Sequence, residues 1–252
     1  MCFDHDSEPP VPVISGAAVS HDELVLEAPD GNRLAAFAAT PEEPSGVGIA
    51  ILPDVRGLYR FYEELALRFA ERGYHALAFD YFGRTAGDEK RGEDFEYMPH
   101  VQQTTPDGVQ SDVAACAARL REDGCEKVFT VGFCFGGRNS WLAAASGHGL
   151  AGAVGFYGRP GESGRPEGSG PIDRAEEIAA PILGLMGGAD EGIPTSEVDA
   201  FDKALTAARV EHELVIYDGA PHSFFDRKYE EFAEDSEDAW RRTLEFIDRH
   251  SS

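Results

Sequence analysis

Lys127-Val128-Phe129-Thr130-Val131-Gly132-Phe133-Cys134-Phe135-Gly136-Gly137 is an apolar run that ends in G-x-C-x-G-G and passes into a helix-like stretch. A short apolar run bounded by turn residues reads as a buried strand, and the segment after it reads as a helix. The glycines have a steric reason. A sharp strand-to-helix turn crowds the neighbouring backbone, and residues lacking Cβ fit closely there. This is the nucleophile-elbow pattern with Cys134 where serine is usual. Cys134 then sits at a helix amino terminus, where the backbone dipole favours a thiolate. No G-x-S-x-G occurs anywhere in the chain, so no serine competes for the role.

Outward from this segment, apolar runs and amphipathic stretches alternate, the signature of βα units around a largely parallel sheet. Residues 23–28 and 33–40 read as an opening hairpin turned by Pro29-Asp30-Gly31-Asn32. Strands are predicted at 47–53, 75–80, 127–132, 152–157, 181–186 and 212–217. Helices are predicted at 61–72, 108–123, 136–146, 195–208 and about 235–249. The predicted class is α/β, with a mostly parallel central sheet flanked by helices and an N-terminal hairpin. Residues 1–20 read as an extension and 21–252 as one domain. Two connections, 82–107 and 158–172, are too long for plain crossovers. Both follow strands, at the carboxyl edge where open α/β sheets bind ligands.

The chain has 252 residues, 42% hydrophobic and 27% charged, a composition of a water-soluble globular protein. Its 46 acidic against 22 basic residues give a formal net charge of -24. Such a field repels phosphate backbones and anionic lipid, so neither nucleic acid nor a membrane surface is an expected partner. The start, Met1-Cys2-Phe3-Asp4-His5-Asp6, has no basic or apolar leader character, and a cytoplasmic location is the default expectation. Cys2, Cys116, Cys125 and Cys134 show no C-x-x-C pair and no zinc spacing, so reduced thiols and no metal are expected.

An elbow of this kind calls for an acid and then a histidine, each in a loop after a later strand. Asp190 in Gly187-Gly188-Ala189-Asp190 and His222 in Pro221-His222-Ser223-Phe224 fill those places. Complete ionisation of an ordinary thiol supplies roughly 2 kcal/mol at pH 7, whereas enzymes typically need about 8 kcal/mol or more. Much of the rest must come from backbone N–H donors to the oxyanion. Phe135, just after the nucleophile, and Val55, after strand 47–53, are the expected donors. Phe82, Phe135, Trp141 and Tyr157 read as core or pocket wall. Arg56, Arg60 and Arg159 fall in loops at the same edge without an assigned role.

These motifs, with Gly155-Phe156-Tyr157-Gly158, resemble the dienelactone hydrolase family of α/β-hydrolases over nearly all of the chain after about residue 20. The resemblance implies a single-domain enzyme that opens a lactone or ester through an acyl-cysteine, without cofactor or metal. It carries the triad onto Cys134, Asp190 and His222. It also implies a glutamate that shares the thiol, here Asp54, one methylene shorter, and two arginines that bind the substrate carboxylate. Arg84 in Asp80-Tyr81-Phe82-Gly83-Arg84 matches the first. The second is expected where Asp226 stands, with Arg227 the nearest candidate. These departures leave the hydrolase reading intact and open an alternative, a promiscuous arylesterase or phosphotriesterase acting on neutral esters with the same thiol. A third reading is a non-catalytic small-molecule binder of the same fold. The expected partner is a small ester or lactone, and the expected assembly a monomer or small homo-oligomer.

Overall fold

The computed structural model describes residues 7–17, 19–161 and 169–251. Cys2 and the middle of the 158–172 connection lie outside them. Among the described residues, strands β1 (Val19–Glu27), β2 (Arg33–Pro41), β3 (Val47–Leu52), β4 (His75–Phe79), β5 (Lys127–Phe133), β6 (Gly152–Phe156), β7 (Ile182–Gly187) and β8 (His212–Tyr217) form one sheet. Their order is β1-β2-β4-β3-β5-β6-β7-β8. The β1–β2 hairpin and its junction with β4 are antiparallel, and every later pair is parallel.

The parallel strands need crossovers. α1 (Arg60–Ala70), α4 (Pro106–Glu122), α5 (Phe135–Ala144) and α6 (Thr195–Ala208) supply four of them, while α7 (Ala233–His250) follows the last strand and closes the chain. Helices on both faces explain why the central strands read as apolar runs rather than alternating ones. Along β3 the period of two is still visible. Ile49 and Ile51 join the core under α1 and α7, with Leu65, Phe69, Phe246 and Ile247. Ala50 and Leu52 join the opposite core under α4, with Val113, Cys116 and Leu120. Trp141 of α5 is fully buried and donates its indole N–H to the Leu183 carbonyl at 3.2 Å, so it is core.

The 82–107 connection is more ordered than its polar sequence suggests. It contains two short helices, α2 (Gly83–Ala86) and α3 (Tyr97–Val101). It is pinned by Arg91 to buried Asp80 at 2.9 Å, Lys90 to Glu63 at 2.6 Å and Arg33 to Asp88 at 2.7 Å. Asp80 also accepts the backbone N–H of Phe82 at 2.9 Å. The connection ends at Thr105, whose side chain caps α4 by accepting from the Gly108 N–H, followed by Pro106 in the first turn.

Candidate active site

At the end of β5 the chain turns into α5 through Cys134, which holds φ 55° and ψ -112°. A positive φ at a residue with a side chain is strained, and it persists where the surroundings enforce it. Here the Cys134 N–H donates to the Phe156 carbonyl of β6 at 2.9 Å. The flanking glycines are enforced too. A Cβ on Gly132 would collide with the Gly136 carbonyl, and one on Gly136 with the Leu52 and Pro53 carbonyls. The G-x-C-x-G spacing is thus the imprint of β5, α5 and β3 meeting at one corner.

The loop after β7 supplies Asp190. Its Oδ1 accepts the Gly192 N–H at 2.8 Å and its Oδ2 lies 2.6 Å from His222 Nδ1. A carboxylate accepts, so Nδ1 carries the proton in this pair and Nε2 is left for the cavity side. His222 comes from the loop after β8, and its ring lies 4.9 Å from that of Tyr157. Cys134, Phe135, Asp190, His222, Val55 and Tyr157 line one cavity of about 660 Å³ at the carboxyl edge of the sheet. The sequence reading and the geometry therefore converge on six residues from five separate segments.

Three other expected residues are placed elsewhere. Asp54 is fully buried, and its carboxylate accepts the Arg56 N–H at 2.8 Å and faces the Arg56 guanidinium at 3.4 Å. It does not line the cavity. Arg84 is held between Asp30 at 2.6 Å and buried Asp112 at 2.7 Å, behind the Thr104–Thr105 wall. Burial pushes the Asp112 carboxyl up to about 6, against the pull of Arg84 and Asn32. Arg227 is likewise absent from the cavity wall. Its backbone N–H donates to the preceding Asp226.

The cavity's arginines are Arg138 and Arg159. Arg138 is buried and donates to the carbonyls of Arg159, at 3.0 Å, and Gly161. It was recoverable from sequence, since it lies four residues after Cys134 and so on the same helix face. Arg159 pairs with Glu197 at 3.2 Å. Val109, Leu142 and Ile193 make part of the wall apolar.

The dienelactone hydrolase family model matches residues 34–251, most of the chain. The chain belongs to the dienelactone hydrolase family. Membership places it among the ester- and lactone-cleaving hydrolases. It is 30% identical over 227 residues to a provisionally named carboxymethylenebutenolidase of Yersinia pestis, covering 87% of this chain and 85% of the relative. The crystal structure of a provisionally named dienelactone hydrolase from Klebsiella pneumoniae superposes with a TM-score of 0.80 at 29% identity, covering 91% of this chain and 98% of that one. A dienelactone hydrolase-like promiscuous phosphotriesterase from metagenomic libraries shares the fold, with a TM-score of 0.75 at 21% identity over 93% of this chain and 99% of that one.

Proposed function

We propose that this member of the family hydrolyses carboxylic esters or lactones through a Cys134–His222–Asp190 triad and an acyl-cysteine intermediate. The reading rests above all on one observation: the strained Cys134 elbow opens on the same cavity as a histidine whose Nδ1 is already committed to a carboxylate. His222 Nε2 takes or shares the thiol proton. The sulfur attacks the carbonyl carbon, and the oxyanion rests on the N–H groups of Phe135 and Val55. Collapse breaks the ester C–O bond, and His222 gives its proton to the departing alkoxide. Water then attacks the thioester, losing a proton to His222, and the sulfur leaves and is reprotonated.

The test is turnover of an aryl ester, with mass spectrometry of the trapped enzyme. The parent accumulates an adduct on Cys134, and Cys134→Ala loses both adduct and turnover. Hydrolysis by Cys134→Ala at the parental rate refutes the mechanism.

A preference for neutral over anionic substrates has a specific support. Arg84 is neutralised by Asp30 and Asp112 outside the cavity, and Asp226 stands where the resemblance implies an arginine. The same thiolate could then attack the phosphorus of a neutral triester, expelling an aryloxide. Rates on dienelactone, an aryl acetate and a phosphotriester separate these substrates, and a strong preference for the anionic lactone removes the neutral reading.

A further inference from the structure

Asp226 lies four residues after His222 and is 2% exposed. The segment between them folds back on itself: Ser223 adopts φ 63°, and its carbonyl accepts the N–H groups of Asp226 at 3.2 Å and Lys228 at 3.3 Å. This turn carries the Asp226 carboxyl to the end of β6, where its Oδ2 accepts the Tyr157 hydroxyl at 2.7 Å. Tyr157 is itself constrained. It is fully buried, holds φ 38°, and donates its N–H to the Leu185 carbonyl at 2.8 Å. Its ring packs against both His222, at 4.9 Å, and Phe224, at 5.7 Å. The Tyr157 ring is therefore one wall of the slot that holds the imidazole, and its far end is fastened to the loop from which that imidazole projects.

We infer that Asp226 is a positioning residue for His222, acting through the Tyr157 ring. The inference rests on the triad proposed above. Asp190 fixes one edge of the imidazole, and the Tyr157–Asp226 hydrogen bond fixes the face against which it turns. A buried hydroxyl–carboxyl bond that closes a loop onto a strand end holds a side chain more tightly than apolar contact alone, because it has a direction. Misplacing a catalytic group by about 1 Å can cost on the order of 10²-fold in rate.

The latch does not depend on the protonation state of Asp226. The groups facing Asp226 are Asp54 from the loop after β3, with its partner Arg56, Tyr157 from the end of β6, and His222 and Arg227 on its own segment. Lys228, next in the chain, is turned to Glu231 at 2.6 Å. Burial and the Asp54 carboxylate push Asp226 up to about 8, against the Arg227 N–H, the Tyr157 hydroxyl and His222. Above that pH Asp226 is an anion, to which the Tyr157 hydroxyl and the Arg227 N–H still donate, so the latch persists in both protonation states.

The experiment compares Asp226→Asn, Asp226→Ala, Tyr157→Phe and the parent on a neutral aryl ester at pH 7, with circular dichroism to establish folding. It also measures the rate at which iodoacetamide alkylates Cys134, read by peptide mass spectrometry. Asn keeps an acceptor for Tyr157, so it retains kcat at pH 7 within about threefold. Ala offers Tyr157 no acceptor, and kcat falls about 10²-fold while KM stays within about threefold. Parental kcat in Asp226→Ala, or a fall in Asp226→Asn as large as that in Asp226→Ala, overturns the inference. Should the Ala variant fail to fold, Tyr157→Phe decides: it keeps the ring and removes the hydroxyl, a fall in kcat with KM little changed is expected, and parental kcat overturns the inference. Alkylation reads the thiol and imidazole without turnover. Failure of the triad itself is therefore seen separately, as hydrolysis that survives Cys134→Ala.

Discussion

Replacing Asp226 by Asn should change the pH dependence of folding, independently of any effect on catalysis. In the native protein the carboxyl is pushed from 3.8 up to about 8, with burial the largest cause. In the unfolded chain it titrates near 4. Between those values the native state holds a proton that the unfolded state has released, so stability falls as pH rises from about 4 to about 8 and levels off above. Each pKa unit corresponds to about 1.4 kcal/mol, so the full window amounts to roughly 5 kcal/mol. Asp80 is also raised by burial and Asp112 stands at about 6, so the parent's own curve mixes several carboxyls. The difference between parent and Asp226→Asn isolates the one. Urea unfolding at pH 5, 6.5 and 8 should show the Asn variant gaining stability relative to the parent at each step, by several kcal/mol in all. Parallel curves across this range would refute the burial argument.

Four further outcomes follow from particular contacts. Asp190→Asn removes the carboxylate that sets the His222 tautomer, and kcat on an aryl ester should fall about 10²- to 10⁴-fold with little change in thermal stability. Gly136→Ala drives a methyl into the Leu52 and Pro53 carbonyls, and a loss of about 3 kcal/mol or more in urea unfolding is expected. Arg84→Met strands the fully buried Asp112 carboxylate. It should cost about 3 kcal/mol of stability and leave kcat/KM on a neutral ester nearly unchanged, whereas a selective loss on anionic esters would restore Arg84 to the binding site. Added salt should raise kcat/KM for an anionic ester by screening the -24 charge and leave a neutral ester unaffected.

The sheet was legible because burial on both faces writes unbroken apolar runs, as in Val47–Leu52 and Ile182–Gly187. The elbow was legible because backbone crowding admits only glycine at Gly132 and Gly136. Helices α2 and α3 were not. They are short, and what holds their connection in place is a set of ion pairs with β1, β2, α1 and Asp80 just after β4, which local pattern cannot reveal. Arg84 shows the same limit from the other side. Its motif was readable, but its binding to Asp30 and to Asp112 on α4 is a tertiary fact that takes it out of the cavity. Asp226 looked like a missing arginine, and its own character arises from its placement beside Tyr157 and Asp54.

For so acidic a protein the thiolate proposed at Cys134 brings an electrostatic conflict, because nearby negative charge disfavours ionising the sulfur. The carboxyls around the cavity are arranged so that few carry uncompensated charge toward it. Asp54 is faced by Arg56, Glu197 by Arg159, and Asp190 is bonded to His222. Asp226 is kept protonated at neutral pH by its burial. Glu191 lines the cavity but is exposed to water, where its field is weakened. The -24 charge is thereby largely a property of the surface, and the cavity wall adds one buried cation, Arg138, which donates to the Arg159 and Gly161 carbonyls. The same compensation ties up Arg84 and Arg159, cations that would otherwise be available to a substrate carboxylate. Shielding the proposed nucleophile from the protein's own charge and withholding Arg84 and Arg159 from a substrate carboxylate are, in this arrangement, two consequences of one set of ion pairs.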